Sequence, residues 1–105
     1  MRYVIAVDPA TVTGIAVVSY SGSEINAVHS GVVKLGSDRN FWIKTAIEEM
    51  TASRNECSES RGLVVLVEDW ARHLAYSTAK KLAQIQQVWI DAASVCGIPV
   101  IMCLC

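Results

Sequence analysis

Apolar residues along this chain follow two patterns: short β-branched runs that end at a charge, and longer stretches where they recur at helical spacing. Residues 2–7 (RYVIAV) are the first run, and an apolar run without alternation predicts a strand buried on both faces. Asp8-Pro9 stops it, because proline has no N–H for a ladder and aspartate hydrogen-bonds its own turn. Gly14 opens a second extended segment, GIAVVSY, that reaches Tyr20. Ser21-Gly22-Ser23 is a tight-turn signal, and a third segment runs from about Glu24 to Leu35. Two short connections in succession predict an antiparallel three-strand meander.

Gly36-Ser37-Asp38 ends the meander and offers helix caps. Ile43, Ala46, Ile47 and Met50 then share one helical face, away from Lys44, Glu48 and Glu49. Residues 51–62 (TASRNECSESRG) are polar and predict a surface loop. Residues 63–68 (LVVLVE) form another apolar strand ending in acid, and the long helical crossover makes it parallel to the first. From about Leu74 to Cys96, Leu82, Ile85, Trp89, Ala92, Ala93 and Cys96 recur at helical spacing. Gly97 suits the position just past the helix end, with Pro99 as a stop. A last apolar strand, from Val100 to Leu104, is again parallel. The predicted order is βββαβαβ, in one domain spanning 1–105.

Composition adds a tension. Of 105 residues, 52% are hydrophobic and 18% charged, against roughly 25% charged in an average domain. Apolar surface must therefore be hidden, and the uncovered end PVIMCLC implies a second subunit or a longer version of the chain. The formal charge of −1 argues against a strongly basic nucleic-acid binder, though a local basic stripe still serves. No apolar run reaches the length of a membrane span, and Asp8 interrupts any signal-peptide core. Cys57, Cys96, Cys103 and Cys105 lack the density of a secreted disulfide framework. The expectation is a cytoplasmic protein with buried, reduced thiols; Cys103 and Cys105, two apart, share a strand face and offer a metal contact.

The candidate chemistry lies at strand ends. Val4, Ala6 and Asp8 share one face of the first strand, and Val64, Leu66 and Glu68 share one face of the fourth. If these strands are neighbours, two carboxylates stand side by side at the carboxyl edge of the sheet, where ligands of such sheets bind. Adjacent anions call for a cation, and oxygen donors suit Mg²⁺ or Mn²⁺, which clamps a phosphate and activates water. A plain turn-forming role for Asp8 and a helix-dipole role for Glu68 stand beside this reading. Asp69 should point away from Glu68 in a regular strand, with a ligand role open to it. His29, alone in the third strand, reads as structural or solvated. No Ser-His-Asp or Cys-His arrangement emerges.

Residues 8–14, Asp8-Pro9-Ala10-Thr11-Val12-Thr13-Gly14, resemble the D-P-G-x-x-x-T-G turn of RuvC-type Holliday junction resolvases. Ser30-Gly31 is similar to that family's S-G pair, residues 63–68 to its fourth strand, and Gly97-Ile98-Pro99-Val100 to the start of its fifth. The resemblance implies a ribonuclease H-like α/β fold, a mixed five-stranded sheet with three antiparallel then parallel strands and flanking helices. It also implies a homodimer and Mg²⁺-dependent nicking of branched DNA. Asp8 and Glu68 would be the catalytic metal ligands, with Asp69 as a further candidate; Thr13 and Gly14 would shape the turn. Trp70, Arg72, His73, Tyr76, Lys80 and Lys81 would face DNA. Ala10 departs from the family's glycine, and alanine tolerates positive φ poorly. The family also carries acids on a helix after the fifth strand, so the chain is expected to be a shortened form. Two alternatives remain: a catalytically incomplete dimeric DNA-binding or scaffold module, and an actin-like or sugar-kinase-like ATPase. The latter requires glycine-rich phosphate loops and a second lobe.

Overall fold

The computed structural model describes residues 2–57, 62–69 and 75–104. Three strands come first, β1 (Arg2–Asp8), β2 (Val12–Ser21) and β3 (Glu24–Lys34), followed by a 3₁₀ turn (Arg39–Phe41) and helix α1 (Trp42–Glu56). Strand β4 (Val64–Asp69), helix α2 (Tyr76–Val95) and strand β5 (Val100–Leu104) complete the chain. The order βββαβαβ is thus observed. The strands form one sheet in the order β3-β2-β1-β4-β5. β1, β2 and β3 pair antiparallel, and β4 joins β1 and then β5 in parallel.

The hairpin between β2 and β3 closes on Ser21 and Glu24. Gly22 carries φ 59°, and among the described residues no non-glycine has positive φ, the pattern of a two-residue turn with glycine first. Val28 is the extra residue of a bulge, since Val17 faces His29 while Val18 faces Ala27. At the other helical boundary, Gly97 has φ 72°. Its N–H donates to the Ser94 carbonyl at 3.0 Å and that of Ile98 to the Ala93 carbonyl at 2.9 Å. These two bonds satisfy carbonyls that the end of α2 would otherwise leave unpaired.

Both helices cover the same face of the sheet. Ile5, Val7, Ile15, Val17, Val65 and Val67 point into that layer and meet Met50, Ile85, Trp89, Ala46, Ala92 and Ala93, all buried. The alanines leave room for Trp89, whose side chain is fully enclosed. Arg54 of α1 donates to the Cys96 carbonyl at the end of α2 (2.9 Å), tying the helices together. Among the described residues, no helix is long and apolar enough to cross a membrane.

Four expectations need correction. β1 and β4 are buried on one face only: Val4, Ala6, Val64 and Leu66 on the other are half-exposed, so β-branched runs here reflect sheet propensity as much as two-sided burial. The predicted loop at 51–62 is helical through Glu56, because one turn with Ser53 and Cys57 buried suffices to dock a polar stretch. Trp42 takes the buried place expected of Ile43, which is 36% exposed; the preceding 3₁₀ turn rotates the helical face. Cys103 is exposed, unlike Cys57 and Cys96, since it lies on the face without helices, while Cys105 is outside the described residues. Burial first, and Glu56 second, raise the Cys57 thiol above its ordinary range, which keeps it protonated and inert.

Candidate active site

Val7 of β1 pairs with Val67 of β4, so the next residues, Asp8 and Glu68, stand level on neighbouring strands about 4.8 Å apart. Alternation places both on the face without helices. Both line one trough of about 420 Å³, together with Ala6, Gly14, Ala16, Gly31, Leu66 and Cys103. Asp8 pairs with Gly14 of β2. A Cβ at Gly14 would lie 3.5 Å from that of Asp8, an ordinary contact. The glycine therefore avoids no clash; its lack of a side chain keeps the floor beside Asp8 open. Cys103 pairs with Glu68 from β5, so its thiol borders the carboxylates, a neighbour that sequence spacing concealed.

The turn after Asp8 is built by Thr13, which is fully buried. Its hydroxyl donates to the Ala10 carbonyl at 2.6 Å and accepts from the Ala10 N–H at 3.4 Å. It also accepts from the Trp89 indole N–H at 3.1 Å. Ala10 does not adopt positive φ, so the missing glycine costs this turn nothing. The expectation that Thr13 shapes the turn is met by an interaction that spacing gave no sign of, a hydrogen bond to a helix 76 residues further on. Replacing Thr13 with Val should leave the Trp89 N–H and the Ala10 carbonyl unpaired in the core, at about 1–3 kcal/mol. Thr13→Ser should recover most of that in urea denaturation; equal stability of Thr13→Val and wild type would contradict this account.

One helical turn before Trp89, the buried Gln86 does the matching work at β4. Its Nε2 donates to the Glu68 carbonyl at 3.0 Å and, more weakly, to the Asp69 carboxylate at 3.4 Å. Asp69 thus turns to the helix layer, opposite to Glu68, as alternation requires. Helix α2 therefore holds the turn that follows Asp8, through Trp89 and Thr13, and the end of β4, through Gln86. Gln86 carries no motif and was missed; a polar residue on an otherwise apolar helical face is the signal that marks it.

Two carboxylate oxygens at a strand edge suit a hard divalent cation, and the trough leaves space for water or a phosphate oxygen beside it. Among the described residues no group of three or more His, Cys, Asp or Glu forms a metal-binding cluster, so the protein offers Asp8 and Glu68 as a pair. His29 is exposed on β3. Lys80 and Lys81 are exposed on α2, and Tyr76 is its first residue. Trp70, Arg72 and His73 lie outside the described residues.

No family model matches the chain, and no curated protein matches it by sequence. Solved structures do. RuvC of Thermus thermophilus in complex with a Holliday junction substrate superposes with a TM-score of 0.79 at 18% identity, over 99% of this chain and 65% of that one. A second structure of Thermus thermophilus RuvC gives 0.78 at 20%, over 98% and 64%. The chain has a RuvC-like fold. An exopolyphosphatase from Cytophaga hutchinsonii is more distant, with a TM-score of 0.60 at 13% identity over 98% of this chain and 34% of that one. The RuvC-like chain thus spans just under two thirds of the RuvC chains it matches. Its mixed five-stranded sheet with two helices is the ribonuclease H-like arrangement, as the turn at residues 8–14 implied.

Proposed function

We propose that this RuvC-like chain is a structure-selective DNA endonuclease that hydrolyses phosphodiester bonds in branched DNA, a four-way junction above all. The observation that carries the reading is the level pairing of Asp8 and Glu68 at the open carboxyl edge of the sheet. Two carboxylates level on neighbouring strands favour a cation between them. Asp8 and Glu68 would hold Mg²⁺ or Mn²⁺, which supplies polarisation of the phosphate and a nucleophilic water at neutral pH. Ala6, Ala16 and Leu66 form the apolar floor of the trough beside the pair. Gln86 and Thr13 fix the strand ends, so the carboxylates need little reorganisation. Trp70, Arg72, His73, Tyr76, Lys80 and Lys81 are the proposed DNA contacts. Among the described residues each chain offers one such pair, so paired nicks across a junction would require two chains, in line with a homodimer working in the cytoplasm.

A second reading, a dimeric RuvC-like DNA-binding or scaffold protein without catalysis, is favoured by the two-carboxylate set. Labelled four-way junction and linear duplex, each incubated with the protein and Mg²⁺ or Mn²⁺, separate the two. Metal-dependent, symmetric nicks in the junction but not the duplex are expected. Junction binding without cleavage would support the scaffold, and neither binding nor cleavage would remove both.

A further inference from the structure

The 3₁₀ turn and the first turns of α2 border an open concavity of about 340 Å³ lined by Arg39, Ser77, Lys80, Lys81 and Gln84. Among the described residues, three cations and two neutral hydrogen-bonding side chains line it, and no carboxylate does. The whole chain has nine Lys and Arg and a net charge of −1, so one third of its cations meet at one concavity. Like charges held together repel and destabilise the fold unless an anion joins them.

Arg39 is anchored. Its guanidinium carbon sits 5.6 Å from the centroid of the Trp42 ring. Trp42 is itself buried, and its indole N–H donates to the Gly36 carbonyl at 3.0 Å. A guanidinium stacked on a fixed ring loses little freedom when its planar fork meets phosphate oxygens. Ala75, at the N-cap of α2, has no side-chain acceptor for the first-turn N–H groups. The positive end of a 20-residue helix therefore adds to the three cations.

The location gives the cavity its partner. Lys34 ends β3 opposite Val12, just past the row in which Asp8 meets Gly14. The 3₁₀ turn therefore starts at the sheet end that carries Asp8 and Glu68. Gln86 reaches the Glu68 carbonyl, and Lys80, six residues earlier, lies about 9 Å further out along the helix. We propose that this cavity is a phosphodiester-binding site, taking the backbone of a DNA arm on the helix side of the sheet end that bears the carboxylates. Arg39, Ser77, Lys80 and Lys81 are all exposed. Such an open rim suits a long polyanion passing across it, rather than a small enclosed anion. The proposal extends the DNA interface to Arg39, beyond the region after β4; it rests on the DNA-binding part of the reading above and not on cleavage.

The test is fluorescence anisotropy of labelled junction and duplex in EDTA, between about 50 and 200 mM KCl. It compares wild type, the triple variant R39Q/K80Q/K81Q and the control Arg2→Gln at the opposite end of β1. The triple variant should bind at least about tenfold more weakly, and its log-affinity against log-salt slope should flatten by roughly two to three. Arg2→Gln should match wild type, and circular dichroism should show all variants folded. Competition with inorganic pyrophosphate separates the sources of phosphate: DNA should outcompete it through its many contacts. The proposal fails if the triple variant keeps wild-type affinity and slope, if Arg2→Gln loses as much, or if wild type binds pyrophosphate but no DNA. Cavity-dependent binding without cleavage would remove the nuclease and keep this site; cleavage with cavity-independent binding would do the reverse.

Discussion

Asp8→Asn should abolish metal-dependent cleavage of junction DNA and weaken Mn²⁺ binding by at least about 10–100-fold, while thermal stability stays close to wild type. The asymmetry follows from where Asp8 sits. Its side chain is on the exposed face at the end of β1, outside the layer of buried residues between sheet and helices, and the amide keeps the shape. What it removes is the negative charge level with Glu68. Glu68→Gln should behave alike, and the double variant should lose little more, because in the proposed site the two form one ligand set. Mn²⁺ binding followed by water-proton relaxation reads the loss without reference to catalysis. A cleavage rate unchanged in Asp8→Asn would mean the activity resides elsewhere on the chain.

The largest loss of stability is expected at Trp89. Its side chain is fully buried against the sheet and its N–H closes the hydrogen bond to Thr13. Trp89→Ala should cost about 3–5 kcal/mol through lost packing and an unfilled cavity, a large part of the roughly 5–15 kcal/mol that holds a domain of this size. Trp89→Phe keeps part of the ring volume but loses the N–H that bonds Thr13, whose hydroxyl keeps its bonds to Ala10, and should cost about 1–3 kcal/mol through the lost bond and the space left unfilled. Urea midpoints for the two variants measure both, and a loss under about 1 kcal/mol in Trp89→Ala would contradict the packing described. The activity of Trp89→Phe should fall more than its stability, because the turn that carries Asp8 loses its tie to α2.

The strands and the carboxylate pair were legible because each depends on local signals. Asp8-Pro9 ends a strand by its own chemistry, and the period of two decides which face Asp8 and Glu68 share. Helical periodicity placed Ile85, Trp89, Ala92 and Ala93 correctly for the same reason. Other features are set by distant partners. Residues 51–56 look like a loop until α2 docks beside them, and Trp42 takes the buried place expected of Ile43 only because a 3₁₀ turn precedes it. Gln86, Cys103 and Arg39 gain meaning from neighbours 17 or more positions away or from another element altogether. The open sheet face shows the limit of composition: a half-exposed apolar strand and a fully buried one read alike in one dimension.

The parallel pairing of β1 with β4 joins residues sixty positions apart, Val4 with Val64. A contact of that span must close a long loop before it yields any stabilisation, which slows folding relative to the local β1–β2–β3 meander. The meander, complete by Lys34, forms early and carries Asp8 without its partner. The charge pair comes into being only when β4 has left the ribosome and inserted beside β1. The site therefore depends on a long-range pairing, and a nascent or clipped chain ending before residue 63 has the aspartate without the pair.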